Sequence, residues 1–243
     1  MVTWKERLFD LIFPRYCCIC GEFLSTHNFE YICETCAKKI VFIGENICIK
    51  CGHDFGEVLG ERPFFCHRCS HSEFQFIALR SAVRLNHITR SLIHQLKYKQ
   101  GEYLAKDFAK IIQKNATFMA LLQDSILVPV PLHWKRVFKR EYNQSEIIAK
   151  SLQKLPIDMK VLSLLKRRRH TPPQVGLHIN ERRENVKNAF SIDPKFKIDH
   201  ERKLIVFDDV FTTGATINEC CKILRKHGFH NIYAATFTQV SKN

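Results

Sequence analysis

Two adjacent carboxylates followed by a threonine- and glycine-rich run, LIVFDDVFTTGAT over residues 204–216, hold the strongest promise of chemistry in this chain. Four apolar residues lead into Asp208 and Asp209, the pattern of a buried strand that ends in two acids. In open α/β sheets ligands collect at the carboxyl ends of the strands, where these acids would sit. Thr212, Thr213, Gly214, Ala215 and Thr216 would then turn into a helix. Such a turn offers backbone N–H groups, hydroxyls and the positive end of a helix dipole to a phosphate. Gly214 lets the backbone come close where a side chain would block it. Asp208 and Asp209 can accept hydrogen bonds from vicinal hydroxyls and can share a Mg²⁺ with a pyrophosphate, a role suited to hard oxygen ligands. The string therefore suits a phosphorylated ribose. A polar strand end before an N-capped helix would account for Asp209 and Thr213 but not for the whole pattern.

A second chemistry lies near the start. Cys17 and Cys20 are followed after twelve residues by Cys33 and Cys36, and Cys48 and Cys51 after fourteen by Cys66 and Cys69. Four CxxC pairs at these intervals have the spacing of paired zinc ribbons, each pair clamping one side of a tetrahedral Zn²⁺. Gly21 and Gly52, directly after a pair, suit the tight knuckle. Sequential pairing of the motifs is expected over crossed pairing because the two intervals are similar. Four thiolates leave no open position on the metal, so both zincs should be structural, replacing a core that about fifty residues can barely build. Cys18 reads as a bystander, and His53, His67 and His71 are the alternative ligands if a site is irregular. Cys220 and Cys221, with Ile217 and Leu224, make an apolar stripe at helical spacing and read as core.

The elements that must position these residues can be read coarsely. Ile88, Leu92 and Leu96 mark one helix, Leu104, Phe108, Ile111 and Ile112 another, and Ile147, Ile148, Leu152 and Leu155 a third. SILVPV at 125–130, VLSLL at 161–165, KLIVF at 203–207 and NIYAATFTQV at 231–240 read as strands. Alternation of this kind implies an α/β fold with a mostly parallel sheet. Nine of the 11 cysteines precede residue 70, which divides the chain into a helix and cysteine-rich head at 1–75 and a body at 76–243.

Lys and Arg outnumber Asp and Glu by 38 to 24, a net charge of +14, and the excess clusters at Lys135-Arg136, Lys139-Arg140 and Lys166 to Arg169. Clustering favours a polyanionic partner over a generally basic surface. Tyr98, Trp134, Phe138 and Tyr142 lie among these residues and can stack bases or pack inside. The opening MVTWKERLFDLIFPRY puts Trp4, Leu8, Leu11 and Ile12 on one helical face without the run of a signal peptide. No stretch approaches a transmembrane segment. The expected location is cytoplasmic, where thiols stay reduced, with recruitment to the inner face of the membrane as the further option.

LIVFDDVFTTGAT resembles the phosphoribosyl pyrophosphate motif of type I phosphoribosyltransferases: four apolar residues, two acids, two variable positions and T[TS]GxT. With VPVPLHWKR at 128–136, REYNQSEIIAKSL at 140–152, HQLKYKQGEYLA at 94–105, RRRHTPPQVGL and ERRENVKNAF within 167–190, and the cysteine head, the chain resembles the ComF family of competence proteins. The resemblance implies a double zinc ribbon on a phosphoribosyltransferase-like body and a role in natural transformation, where incoming single-stranded DNA is handled on the cytoplasmic side. It implies that Asp208 and Asp209 bind ribose hydroxyls and Thr212 to Thr216 the 5′-phosphate. The loop from Pro131 to Arg136 would meet the pyrophosphate, under a flap that carries Arg168, Arg169 and Gln174.

Three readings of function follow. In the first, a DNA-uptake factor binds phosphoribosyl pyrophosphate or a related sugar phosphate, with magnesium, and grips single-stranded DNA through Lys135, Arg136, Lys139, Arg140, Arg167 and Arg168. In the second, an active phosphoribosyltransferase serves an unnamed acceptor. Thr212 weighs against this, because purine-salvage enzymes commonly place an acid there to help deprotonate the incoming base. In the third, a zinc-headed adaptor docks a competence helicase or recombination mediator.

Overall fold

A computed structural model describes residues 14–24, 28–56, 65–169, 171 and 178–240. The expected N-terminal helix and Gln174 lie outside the described residues, as do the side chains of Arg136 and Lys139.

Each cysteine-rich stretch ends in a one-turn helix, α1 (Glu34–Ala37) and α2 (His67–Ser70), whose N-caps are the cysteines Cys33 and Cys66. The body begins with β1 (Leu79–Arg84), α3 (His87–Tyr98), a 3₁₀ turn (Gly101–Leu104), α4 (Ala105–Gln113), α5 (Ala116–Leu122) and β2 (Ser125–Pro129). It continues through α6 (Trp134–Arg140), α7 (Gln144–Leu152), β3 (Met159–Val161), β4 (Leu165–Arg167), α8 (Ile179–Val186), β5 (Phe190–Ile192), β6 (Leu204–Phe211), α9 (Ala215–Lys226) and β7 (Ile232–Gln239). Local chemistry sets the starts of these helices. Asn86 and Thr89 form a reciprocal capping box before α3, and Asn115 and Asn143 cap α5 and α7.

Five strands form a wholly parallel sheet in the order β1-β7-β6-β2-β3, and β4 pairs antiparallel with β5 beside it. This is a mixed α/β fold with an N-terminal double zinc ribbon. Along β6 the alternating side chains separate two cores: Ile205 and Phe207 pack with α3, α4, α5 and α7, while Leu204 and Val206 pack with α9. Each core also takes in one cysteine cluster. Cys17, Cys33 and Cys36 join the first core, and Cys48, Cys51 and Cys66 join the second.

The sheet explains where a ligand can bind. From β2 the chain proceeds outward to β3, whereas β6 lies on the other side of β2 and leads away to β7. A crevice therefore opens beyond the carboxyl ends of β2 and β6, where the connections diverge. One expected strand is corrected. VLSLL at 161–165 is not a single strand, because Val161 closes β3 in the main sheet and Leu165 opens β4 in the small one. The intervening bend is held by Leu162 N–H donating to the Leu127 carbonyl and by Leu164 N–H donating to the Leu162 carbonyl. Leu164 and Leu165 are buried in the α9 core, so the apolar run serves two sheets and its periodicity conceals the break.

Candidate functional site

The crevice is a cavity of about 730 Å³. β6 delivers Asp208 and Asp209 to it, and the turn into α9 supplies Thr212, Gly214, Ala215 and Thr216. Lys97 enters from the last turn of α3, Lys135 and Arg140 from α6, Arg167 from β4 and Arg182 from α8. The apolar wall is Val130, Leu132, Phe211 and Ile217. The cavity thus places five cations around three carboxylates, Asp208, Asp209 and Glu141, and the N-terminus of a twelve-residue helix, the environment in which an anionic group with hydroxyls finds both kinds of partner.

The two acids differ in their partners. Asp208 Oδ1 accepts from Ser145 Oγ at 2.9 Å and from the Asp209 backbone N–H at 2.9 Å. Asp209 is buried, and its Oδ2 is paired with the Lys97 ammonium. Burial, then the neighbouring Asp209 charge, push the Asp208 carboxyl up to about 7, against the pull of Lys97. Ser145 is held in place by Asn143, which accepts from the Ser145 backbone N–H and donates to the Val130 carbonyl at 3.0 Å. The start of α7 is thereby locked to the end of β2. Gly214 adopts φ +81°, and a Cβ there would lie 2.8 Å from the Phe211 ring, so the turn requires glycine for its angle and for its contacts.

The sequence-predicted residues divide accordingly. Asp208, Asp209, Thr212, Gly214, Ala215, Thr216, Lys135, Arg140 and Arg167 come together at the cavity. Thr213 faces a neighbouring recess of about 350 Å³, and Pro131 lies beside the cavity without lining it. Arg168 and Arg169 turn away: Arg168 donates to Ser191 Oγ at 2.7 Å, and Arg169 donates to the carbonyls of Glu184, Asn185 and Lys187 at the end of α8. Lys97, Gln144, Ser145 and Arg182 were not singled out from sequence. Ser145 and Gln144 sit in the first turn after the Asn143 cap, a helix start legible in YNQSE, whereas nothing local marks Lys97 or Arg182. Of the aromatic residues among the basic ones, Tyr142 is buried and donates from its hydroxyl to the Leu96 carbonyl, while Tyr98, Trp134 and Phe138 are exposed, Phe138 by 87%.

The cysteines gather as Cys17, Cys20, Cys33 and Cys36, and as Cys48, Cys51, Cys66 and Cys69, with the sulfurs of each set within 4.8 Å of one another. A tetrahedral Zn²⁺ with bonds of about 2.3 Å places its sulfurs about 3.8 Å apart. The observed 3.6 Å between Cys20 and Cys33 and 3.5 Å between Cys51 and Cys66 fit that ion. The first knuckles of the two ribbons repeat one another: Cys17 N–H donates to the Glu22 carbonyl and Cys48 N–H to that of His53, both at 2.8 Å. Among the described residues no histidine joins either cluster. Cys18 stands apart, its thiol pushed up to about 12 by burial.

Residues 8–71 match the family model described as a double zinc ribbon domain. Over 218 residues the chain is 27% identical to competence protein F of Haemophilus influenzae, covering 84% of this chain and 95% of that protein. It is 26% identical over 223 residues to the DNA utilization protein YhgH of Escherichia coli strain K12, covering 90% of this chain and 94% of that one. It is 24% identical over 209 residues to competence protein ComFC of Bacillus subtilis, covering 82% and 80%. The resemblance to the ComF family is borne out. The likeness to these relatives extends over 82–90% of this chain. Among the described residues no helix is long and apolar enough to cross a membrane.

Proposed function

We propose that the chain is a cytoplasmic DNA-uptake factor whose cavity binds phosphoribosyl pyrophosphate or a related sugar phosphate and whose basic rim holds single-stranded DNA. The observation that carries this reading is the placing of Asp208, Asp209 and the 212–216 turn at one divergent crevice, under Lys97, Lys135, Arg140, Arg167 and Arg182. The body is then a type I phosphoribosyltransferase-like domain, and the names of the relatives supply the context of competence and DNA utilization.

In this reading the carboxylates face the ribose hydroxyls and the turn takes the 5′-phosphate. Lys135 and Arg140 face the pyrophosphate end. Asp208 and Asp209 offer the hard oxygens that Mg²⁺ prefers, and that ion would neutralise pyrophosphate charge. Tyr98, Trp134 and Phe138, exposed beside Lys135 and Arg140, suit stacking by successive bases. The guanidinium of Arg140 lies 5.0 Å over the Tyr98 ring and the ammonium of Lys135 lies 5.5 Å over that of Trp134, so charge and aromatic surface already adjoin. A competence helicase or recombination mediator is the protein partner that such a factor would serve.

The test is calorimetric binding of phosphoribosyl pyrophosphate with Mg²⁺ to the wild type and to an Asp208→Ala, Asp209→Ala variant. Saturable binding by the wild type that the variant lacks is expected, and equal binding by both would defeat the assignment. A second reading, transfer of the phosphoribosyl group to an acceptor, is favoured by the apolar wall of Val130, Leu132 and Ile217, which offers a flat acceptor a surface. Pyrophosphate release across a panel of nucleobases and amines separates binding from turnover.

A further inference from the structure

The second zinc cluster reaches the phosphate turn directly. Arg68 lies between the ligands Cys66 and Cys69, and its guanidinium donates to the Thr212 carbonyl at 2.7 Å while lying 5.4 Å from the centre of the Phe211 ring. Phe74, just beyond the ribbon, packs on Phe211, and these two rings leave no room for a side chain at Gly214. From the other side Gln239, paired in register with Phe211 at the ends of β7 and β6, donates to the Cys51 carbonyl at 3.2 Å. The end of β6 is therefore held between two knuckles of one ribbon.

Helix α2, which carries Arg68, has four residues. A single turn cannot persist alone, because helix nucleation is unfavourable until several turns are made. What fixes its place is the pair of cysteines at Cys66 and Cys69. Among the described residues no hydrogen bond runs from the first ribbon to the 212–216 turn: that ribbon is tied through Asp107, which accepts from the Glu30 and Tyr31 N–H groups, and through Gln95, which donates to the Cys18 carbonyl. We propose that Arg68 is the positioning residue of the 212–216 turn, so that metal in the second cluster, and not in the first, sets the geometry with which this turn receives a phosphate. The ligand part of this statement rests on the sugar-phosphate reading above; the coupling of ribbon and turn does not.

The experiment compares the full zinc-loaded chain with Arg68→Met, which keeps the length of the side chain and removes its donors, and with Arg68→Lys, which restores one. Zinc content, amide hydrogen exchange at 212–216 and affinity for phosphoribosyl pyrophosphate with Mg²⁺ are measured on each. Arg68→Met should keep both zincs while exchange at 212–216 rises about tenfold and affinity falls about tenfold, the order expected for losing a charged hydrogen bond. Arg68→Lys should recover most of both. In the wild type, zinc removal by a chelator should raise the same exchange, and added zinc should reverse it. Unchanged exchange at 212–216 in zinc-loaded Arg68→Met, or after zinc removal, overturns the proposal whether or not the sugar phosphate binds. Raised exchange in a chain whose wild type binds no sugar phosphate supports the coupling and defeats the ligand reading alone.

Discussion

The ammonium of Lys97, at the end of α3, neutralises Asp209 at the end of β6, so the cavity contains its own counter-ion before any ligand arrives. Removing one partner of a buried pair leaves the other charge uncompensated. Lys97→Met should therefore destabilise the fold by about 3 kcal/mol, read as a lower denaturant midpoint. It should also raise the Asp208 carboxyl further, since Lys97 opposes that rise. Added Mg²⁺ should restore part of the lost stability if the carboxylates take that ion.

Asp208 predicts a pH dependence. Its carboxyl is raised from 3.8 to about 7 by burial and by Asp209, so the folded chain binds this proton more tightly than the unfolded chain. The contribution is complete below the unfolded value and is lost as pH rises through the folded one. Asp208→Asn, which does not titrate, should exceed the wild type in stability by about 1–3 kcal/mol at pH 8 and by little at pH 4. Sugar-phosphate binding that uses the carboxylate should strengthen between pH 6 and pH 8 in the wild type, and a flat profile would exclude that use.

Gly52 is a stability hinge of the second ribbon. It adopts φ +63°, and a Cβ there would lie 2.6 Å from the Leu79 carbonyl at the start of β1. Gly52→Ala should cost about 1–3 kcal/mol and lower zinc retention by the second cluster before the first, measurable by competition with a chromogenic chelator. Gly21, with nothing within 4 Å of such a Cβ, should tolerate alanine better despite its φ of +77°.

Asp107 tests the first ribbon independently. It is fully buried, and its two oxygens accept from Glu30 N–H at 2.7 Å and Tyr31 N–H at 2.8 Å. Asp107→Ala leaves both donors without a partner and should destabilise by about 2–4 kcal/mol. Zinc should be lost preferentially from the cluster of Cys17, Cys20, Cys33 and Cys36, with phosphoribosyl pyrophosphate affinity retained in the zinc-loaded variant.

The exposed aromatic residues make the DNA reading measurable. Trp134→Ala and Phe138→Ala remove side chains that are 66% and 87% exposed, so thermal stability should not change. Single-strand affinity should fall by roughly 1–3 kcal/mol for each stacked base lost. In the wild type it should weaken steeply between about 50 and about 200 mM salt. Affinity indifferent to both salt and these residues would remove this rim from the DNA path.

Much of the fold could be read in advance because its signals are local. The CxxC intervals gave the pairing of the clusters, and the apolar run ahead of Asp208 gave the central strand with its acids at the carboxyl end. The cations at the cavity were less legible. Lys97 and Arg182 are brought there by helices distant in sequence, and no spacing marks a residue that matters only through tertiary approach. Arg169 is a different case: the resemblance alone assigned it to a flap, and its guanidinium donates to the carbonyls at the end of α8. β1 escaped because Arg80 and Arg84 interrupt its apolar pattern, and both find acceptors in the ribbon, at the Ile49 carbonyl and at Asp54.

The position of β7 between β1 and β6 governs the order in which this molecule can assemble. Among the described residues β1 pairs within the main sheet with β7 alone, and the two are about 150 residues apart in sequence. A growing chain therefore exposes β1 early, with an open edge, and must wait for residues 232–239 before that edge is closed. The ribbons need no such wait, since their ligands are synthesised within residues 17–69. Metal loading can precede closure of the sheet, and a nascent chain starved of zinc would hold both an unfolded head and an unpaired strand, the combination most exposed to aggregation.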